Sequence, residues 1–303
     1  MKVSIIIPAL NEENELPGLL NSILSQDFDD YEIIVADAHS TDRTRDIARE
    51  AGCRVVDGGM PAAGRNAGAR AARGDFLFFL DADVLLPPGF IKDVYEEMEE
   101  RYIDLATCAI KPVSSYQLDR IIHKLINLTI LINLRIDPKA FGFCIFVTRR
   151  LFNRIGGFDE TIKVAEDNDF VKRGAEYRSL RYLNSTHILV SVRRFEKEGR
   201  FAYMGKGIRL NLYRAFKGEI RNEGIVEYEF DAFDKPVKDE DRKFLDKFEK
   251  RLLSLEDHYK AFNQKARRRG HDENLQGARK NIQNFSREVR ELHSYFRSKR
   301  SGE

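Results

Sequence analysis

The sequence predicts an α/β fold with a doubly wound, mainly parallel sheet. Short apolar runs, typical of strands buried on both faces, alternate with segments whose apolar residues recur at helical spacing. This alternation continues over the first third of the chain, as expected for a parallel sheet covered by helices. Acidic residues directly follow two of the runs. Because open α/β sheets bind ligands at the carboxyl ends of their strands, we expect a functional site there.

The first elements are a strand, a helix and a second strand. Residues 3–7 form an apolar run, and Asn11 is positioned to cap a helix over residues 12–25. The apolar residues of that helix share one face, as in a helix that packs on a sheet. A second apolar run, residues 33–36, ends at Asp37.

The chain then repeats this pattern. A helix that ends at Gly52 precedes a short third strand at residues 54–56. A helix rich in small residues, 62–73, leads to the most apolar strand, 76–80. Neither a Gly-x-Gly-x-x-Gly segment after the first strand nor a Gly-Lys-Ser/Thr loop is present, so the dinucleotide fingerprint and the phosphate loop are excluded.

Beyond the fourth strand, helices and strands follow in a less regular order. The predicted elements are a helix that reaches residue 101, a strand at 105–110, an apolar helix at 115–134, a strand at 143–147, a short helix that opens at 151 and a helix from about 167 to 174.

Two carboxylates, Asp81 and Asp83, come directly after the most apolar strand. In extended backbone, residues two apart send their side chains to the same side. Paired oxygen ligands at the end of a buried strand suit a hard divalent cation such as Mg²⁺ or Mn²⁺. The alternative is that both residues only cap the turn that precedes Pro87.

Composition narrows the class of protein. The 303 residues carry 51 basic and 49 acidic side chains, so the net charge of +2 does not favour nucleic acid as a partner. The cysteines Cys53, Cys108 and Cys144 lie far apart, which fits core residues in a reducing compartment. Without a signal peptide or a spanning apolar run, the sequence predicts a cytoplasmic protein.

The chain changes character after residue 218. Residues 239–262 and 275–296 place apolar side chains at alternating steps of three and four, which predicts a charged helical hairpin over residues 219–303. Such seams must be buried, so the hairpin is a candidate surface for a homo-oligomer. The main domain is predicted to be residues 1–218.

Five segments of the main domain share the motifs of one family. They are residues 6–13, 37–42, 64–75, 81–83 and 156–167. Together they resemble the family 2 glycosyltransferases over about residues 2–200. The resemblance implies a GT-A-type fold, with a nucleotide-sugar half at residues 1–110 and an acceptor half at residues 111–218.

The resemblance also implies an activity. The expected reaction is the inverting, metal-dependent transfer of a hexose-type sugar from a nucleotide-sugar to a hydroxyl or phosphate acceptor. The donor is a UDP-sugar by preference or a GDP-sugar, and the cation is Mn²⁺ or Mg²⁺. A cation at the diphosphate stabilises the charge of the leaving group, and one base suffices for a single displacement.

The roles of individual donor-site residues follow from the same resemblance. The expected donor-binding residues are Pro8, Ala9, Glu12, Asp37, Arg65, Asp81, Ala82 and Asp83. Asp37 is expected to accept a hydrogen bond from the base, and Arg65 to lie beside the base or the diphosphate. Asp83 is expected to bind the metal, and Asp81 to face the ribose or the metal. Leu10 stands where many relatives carry an aromatic residue that stacks on the base.

The acceptor motif supplies the expected catalytic pair. Asp167 is predicted to be the general base, because an acceptor hydroxyl is a poor nucleophile until it loses its proton. Glu166 is predicted to contact the acceptor or orient a loop. His187 is either a further metal ligand or an ordinary core or surface histidine. The basic residues from Arg193 to Arg200 form either a loop that closes on the diphosphate or a solvated turn.

The residues leave alternatives open for membrane contact and for the function. The apolar helix 115–134 and the mixed apolar and basic residues 199–218 fit either peripheral contact with the cytoplasmic membrane face, with a lipid-linked acceptor, or core and interface packing. A nucleotidyltransferase built on a related sheet is a second function. A non-catalytic scaffold that acts through the hairpin is a third.

Overall fold

The computed structural model describes residues 1–135 and 137–199, which form one mixed sheet with helices on both faces. The strands are β1 Val3–Ala9, β2 Tyr31–Asp37, β3 Arg54–Asp57, β4 Phe76–Phe79, β5 Val84–Leu85, β6 Leu105–Val113, β7 Ile145–Thr148 and β8 Arg181–Ser191. The helices are α1 Leu16–Leu24, α2 Thr44–Glu50, α3 Pro61–Ala71, α4 Phe90–Glu100, α5 Gln117–Asn133, α6 Arg149–Arg154, α7 Glu166–Tyr177 and α8 Arg193–Glu198. The predicted hairpin at 219–303, the main-domain boundary at 218 and the segment 199–218 lie outside the described residues, apart from Gly199.

The strand order is β3-β2-β1-β4-β7-β6-β8-β5. Strands β1 to β4 are parallel to one another, β7 is antiparallel to both of its neighbours, and β6 and β8 are parallel. The chain winds from β1 outward to β3 and then returns to place β4 on the other side of β1. The predicted mixed, mainly parallel α/β sheet is therefore confirmed.

Two apolar layers lie on the two faces of this sheet. One contains the inward faces of α1 and α4, and its largest members include Phe78, Phe90 and Phe146. The other is an aromatic cluster beneath α3, α6 and α7, in which Phe79 contacts Phe152, Phe158 and Phe170. Strands β4 and β7 contribute side chains to both layers, which explains why their sequences are apolar without interruption.

Asn11 does not cap α1, which begins at Leu16 rather than at residue 12. Its backbone is left-handed, with φ of 54°, and its side-chain oxygen accepts a hydrogen bond from Thr41 N at 2.9 Å. Asparagine tolerates this conformation better than most residues. The cap prediction was wrong because Asn11 bonds across to the next loop instead of to its own helix.

Two of the observed strands were not predicted from the sequence. The short β5 follows the two aspartates, and the long β8 covers the segment that contains His187. Strand β8 has a bulge opposite Cys108 and Ala109, and much of it is only partly buried. Both features weaken the alternation of apolar and polar residues that identifies strands in a sequence.

Candidate active site

Several predicted site residues meet at the carboxyl edge of the sheet. Ala9 and Asp37, the last residues of β1 and β2, pair in register. On the other side of β1, Leu80 N donates to the carbonyl of Ile6, so that Asp81 and the residues after it emerge at the same edge. The chain reverses its winding direction between β1 and β4, which is where open α/β sheets bind ligands.

Asp37 is fully buried at this edge. Its Oδ1 accepts hydrogen bonds from Ser40 N and from Arg45 Nη1, both at 3.1 Å. Its Oδ2 is buried and has no hydrogen-bond partner among the described residues. A buried carboxylate oxygen without a donor is costly. This oxygen is therefore a candidate acceptor for an N–H group of a ligand.

The loop after β1 is attached to the loop after β2. Glu12 N donates to Thr44 Oγ1 at 2.8 Å, and Glu13 N donates to Asp42 Oδ2 at 3.1 Å. These bonds hold the backbone around Pro8 and Glu12 beside Asp37. Leu10 is exposed at the same place, so its side chain is free to cover a ligand without offering an aromatic face.

Helix α3 lies unusually close to β1 because two glycines face the strand. A Cβ atom on Gly68 would lie 2.4 Å from Ile6 Cγ2, and one on Gly64 would lie 3.3 Å from Pro8 Cβ. This close approach explains the glycine spacing of the 64–68 motif. It also sets the position of Arg65, which follows the first glycine of the pair.

Arg65 connects the two halves of the site. Its Nη2 contacts Asp81 Oδ1 at 2.9 Å, and its Nη1 contacts Glu166 Oε1 at 2.5 Å. The side chain is 5% exposed. Burial lowers the pKa of the guanidinium, but Asp81, Glu166 and Asp167 raise it by more, so Arg65 stays charged. The structure thus places Arg65 between two carboxylates, where both of its terminal nitrogens are engaged.

Asn66 has an anchoring role that sequence reasoning missed. Its Nδ2 donates to the carbonyl of Phe158 and its Oδ1 accepts from Phe158 N, both at 2.9 Å. Its Nδ2 also donates to Glu160 Oε1 at 2.8 Å. The 156–160 motif is therefore fastened to α3. The available signal was an amide side chain next to Arg65 in a helix otherwise rich in small residues.

Asp167 lies at the start of α7, beside the Arg65 bridge. Its Oδ2 accepts a hydrogen bond from Gly142 N at 2.8 Å, and its Oδ1 accepts one from Asn168 N at 2.7 Å. Burial and the charge of Glu166 raise the pKa of Asp167 to about 7, while Arg65 opposes the shift. A carboxylate with a pKa near neutrality suits a general base.

Gly142 is a second residue that sequence reasoning missed. A Cβ atom at this position would lie 2.2 Å from Arg65 Nη2 and 2.6 Å from Arg65 Cζ. Glycine is required because the backbone must reach both the guanidinium and the Asp167 carboxylate. A single glycine in a predicted loop gave no usable signal in the sequence.

Asp81 and Asp83 are the candidate ligands for a divalent cation, although Ala82 and Asp83 form a turn between β4 and β5 and not the extended backbone that the sequence predicts. The Asp83 side chain is 9% exposed. Burial and the charge of Asp81 raise the pKa of Asp83 to about 6, and Arg194 and Arg193 oppose the shift. Within the described residues, His, Cys, Asp and Glu side chains form no cluster of three or more with metal-site geometry. One or two carboxylates completed by phosphate oxygens is, however, the usual way in which proteins bind Mg²⁺.

His187 is not brought to the two aspartates. It lies on β8, where it pairs in register with Ala109, and Ser191 is the residue that bonds to Asp83. Four residues of extended strand separate His187 from Ser191, which is about 13 Å. Burial and the nearby charge of Lys111 lower the pKa of His187. We therefore do not include it among the proposed metal ligands.

None of the helices among the described residues is both long and apolar enough to cross a bilayer. The cysteines Cys53, Cys108 and Cys144 are buried, as predicted. Cys108 and Cys144 lie opposite each other in the sheet, with 3.4 Å between their sulfur atoms.

Comparison with known proteins supplies the family. Residues 4–154 match the model of glycosyl transferase family 2. Poly(ribitol-phosphate) beta-N-acetylglucosaminyltransferase TarS of Staphylococcus aureus strain Mu50 is 29% identical over 201 residues, or 63% of this chain and 34% of TarS. The uncharacterized glycosyltransferase EpsJ of Bacillus subtilis strain 168 is 30% identical over 187 residues, or 55% of this chain and 54% of EpsJ. The chain thus spans about a third to a half of the length of these relatives.

Solved structures agree with this assignment. S. aureus TarS 1-349 in complex with UDP-GlcNAc superposes with a TM-score of 0.51 at 27% identity, over 63% of this chain and 58% of that one. The mannosyltransferase PcManGT from Pyrobaculum calidifontis, in complex with GDP-Man and Mn²⁺, gives 0.53 over 69% of this chain and 64% of that one. At 20% identity, the second likeness concerns the fold alone. Sheet order, motif placement and family match agree, and the chain carries a glycosyl transferase family 2 domain with the GT-A fold.

Proposed function

We propose that this chain transfers a sugar from a nucleoside-diphosphate-sugar to an acceptor, with inversion and with a divalent cation. The observation that carries the proposal is the Arg65 bridge between Asp81 and Glu166. It joins the carboxylates that follow β4 to the start of α7, where Asp167 lies. This bridge supports the proposal because it brings the groups expected for donor and acceptor chemistry close to one another.

The donor is a UDP-sugar by preference. The unpartnered, buried Oδ2 of Asp37 suits the ring N–H of uracil, because a hydrogen bond from the base would remove the cost of that orphan acceptor. Guanine also carries a ring N–H, which keeps GDP-sugars as the alternative. Support for uridine comes from TarS, which has been solved with UDP-GlcNAc and is 27% identical to this chain over the matched region.

Asp83 is the principal residue proposed to hold a divalent cation, and Asp81 assists it. When bound, such an ion neutralises the charge that develops on the leaving diphosphate. Arg65 restrains the Asp81 carboxylate on the other side, so Asp81 is pre-positioned. Glu12, Pro8 and Ala9 line the same edge beneath the nucleotide.

Asp167 is proposed to accept the proton of the acceptor hydroxyl. Glu166 is held by Arg65 and is therefore occupied as an orienting group instead of a nucleophile. With one carboxylate acting at the sugar, the reaction is a single displacement, which inverts the anomeric centre. Gly142 N holds the Asp167 carboxylate in place from the opposite side.

The acceptor is proposed to be a hydroxyl or phosphate group on a larger molecule, with a lipid-linked one as a specific candidate. Leu131 and Ile132 of α5 are 39% and 40% exposed, which gives this helix an apolar surface for a membrane face. Flotation with liposomes of neutral and of anionic lipid tests this point. Absence of the protein from both floating fractions would remove the membrane part of the proposal.

A thermal-shift screen of UDP-, GDP- and dTDP-sugars, with and without Mn²⁺, tests the function directly. We expect the UDP-sugar to raise the melting temperature most, and only with the cation present. Asp83→Ala should lose the cation-dependent shift. Asp167→Asn should keep that shift and lose transfer. Full transfer by Asp167→Asn would overturn its assignment as the base. Release of pyrophosphate from a nucleoside triphosphate incubated with a sugar 1-phosphate would indicate a nucleotidyltransferase.

A further inference from the structure

Arg193 is held next to the donor carboxylates by the backbone. Strand β8 ends at Ser191, whose N–H donates to the carbonyl of Asp83 at 3.0 Å. Arg193 begins α8 two residues later. The end of β8 therefore carries this arginine to the loop in which Asp81 and Asp83 lie, although more than a hundred residues separate them in the chain.

The guanidinium of Arg193 faces three acidic side chains. Its Nη2 donates to both carboxylate oxygens of Glu12, at 2.7 and 2.8 Å. Its Nη1 lies 3.7 Å from Glu15 Oε1, and its Nε lies 3.6 Å from Asp83 Oδ2. All three nitrogens are thus directed at carboxylates. Two of these carboxylates come from the loop after β1, and the third belongs to the proposed cation site.

We propose that Arg193 is an internal counter-ion of this carboxylate group, so that the site accepts a divalent cation together with a nucleoside diphosphate and disfavours the free cation. The inference rests on the proposed function, since it assigns a positioning residue to the same site. Arg193 offsets part of the negative charge of Asp83 and Glu12 in the free protein, and a divalent cation that approaches Asp83 alone meets a positive charge already in place.

A diphosphate changes this balance. Its negative charge attracts both the cation and the guanidinium, and arginine pairs well with phosphate oxygens. Binding of the cation–diphosphate pair therefore allows Arg193 to exchange its carboxylate contacts for phosphate contacts. Arg193 would then select donor and cation as one unit and orient the diphosphate.

The competing explanation is that the ion pairs only fasten α8 to the loop after β1. Both explanations expect a loss of stability when Arg193 is replaced, because partly buried ion pairs disappear. Only the counter-ion explanation expects the affinity for the free cation to rise. The readout is therefore Mn²⁺ binding by the full chain without nucleotide, measured from the paramagnetic resonance signal of unbound Mn²⁺.

The test compares wild type with Arg193→Gln and Arg193→Lys. Arg49→Gln is the matched control, because it removes one positive charge from an exposed ion pair on α2. We expect Arg193→Gln to bind Mn²⁺ alone at least about fivefold more tightly, and UDP in saturating Mn²⁺ at least about fivefold more weakly, measured by calorimetry. Arg193→Lys should lie between wild type and Arg193→Gln, and the control should match wild type.

Unchanged or weaker Mn²⁺ binding by Arg193→Gln would overturn the inference. If that variant does not fold, Arg193→Lys decides, since lysine keeps the charge but contacts fewer carboxylates at once. Failure of the proposed function gives a different result from failure of the counter-ion inference. Tighter Mn²⁺ binding by the variant, with no binding of UDP or GDP by any form, would retain the counter-ion and remove the nucleotide-sugar donor. Sugar transfer from a UDP-sugar by wild type, with unchanged Mn²⁺ binding by Arg193→Gln, would retain the proposed function and remove the counter-ion.

Discussion

Arg65 is a buried cation whose two partners come from distant parts of the chain. It contacts Asp81 after β4 and Glu166 at the start of α7, and Gly142 packs against its guanidinium. A buried charge is tolerated only where partners compensate for the loss of water. The three charged side chains therefore depend on one another, and the bridge brings the Asp81 carboxylate towards the start of α7, where Asp167 lies.

Replacement of Arg65 by methionine should destabilise the protein strongly. The change leaves Glu166 buried without its partner and removes the restraint on Asp81, and loss of one member of a buried pair costs about 3–5 kcal/mol. Urea unfolding of Arg65→Met and of the exposed control Arg49→Gln measures the difference. A loss as small as that of the control would show that the bridge contributes little.

The pH dependence of transfer reports on Asp167. Its pKa is raised to about 7, and as the proposed base it would act only when deprotonated. The rate constant at saturating substrate should therefore rise with pH, reach about half of its maximum near pH 7 and level off above about pH 8. Asp167→Asn should lower it by about 10²–10⁴-fold and remove this limb. The same limb in the Asn variant would assign the titration to another group.

At the scale of elements, the contact between α3 and β1 sets the geometry of the site. Gly64 and Gly68 allow the helix backbone to approach the strand, and the helix carries Arg65 and Asn66 between them. Asn66 then attaches the 156–160 motif. The glycine spacing is thus a packing requirement whose consequence is the position of a charged side chain.

Gly68→Ala should push α3 away from β1. The new Cβ would meet Ile6 Cγ2 at 2.4 Å, and overpacking of this kind costs about 1–3 kcal/mol. The double variant Gly68→Ala/Ile6→Ala should be more stable than the sum of the two single changes predicts, because the clash is absent. Gly18→Ala in α1 is the control, since its nearest neighbour is the flexible tip of Leu85 and alanine favours the helix. If the free-energy changes of the two single variants simply add in the double variant, the predicted clash with Ile6 is contradicted.

For the molecule as a whole, the sheet order brings separate sequence segments to one edge. Strands β1, β2 and β4 end at Ala9, Asp37 and Phe79, and β8 returns beside β5 to deliver Arg193. Carboxylates therefore accumulate where the sheet reverses its winding. Arg193 offsets only part of the repulsion between these carboxylates, and the remaining repulsion costs stability when no ligand is present.

Stability without a divalent cation should fall as the pH rises from about 4 to 7. The pKa values of Asp83 and Asp167 are raised to about 6 and about 7, so the folded state retains protons that the unfolded state has already released. Asp83→Asn should flatten this fall. Its free energy of unfolding should exceed that of wild type by on the order of 1–3 kcal/mol at pH 8, and by little at pH 4. Urea unfolding in the presence of a chelator checks both values. A gain of equal size at the two pH values would argue against titration of Asp83.

The first half of the fold was predictable because its strands are short, continuous apolar runs and its helices are amphipathic. Strands β1 to β4 appear where the periodicity indicates them, with one helix between each strand and the next. Strand β8 escaped prediction because a bulge interrupts it and its burial is irregular. Helix α1 starts later than expected because Asn11 bonds to Thr41 across two loops, which is a tertiary contact.

The sequence by itself determined the fold class, the family and the kinds of residue in the site, since strand patterns and local motifs are properties of neighbouring positions. The tertiary structure alone decided which charges meet. It placed Arg65 between Asp81 and Glu166, Gly142 N on Asp167, and Arg193 on Glu12. It also separated His187 from the aspartates by the length of a strand segment. The physical reason is that a charge interacts with whatever lies within a few ångströms, and the distance between two side chains far apart in the chain is set by packing and strand order.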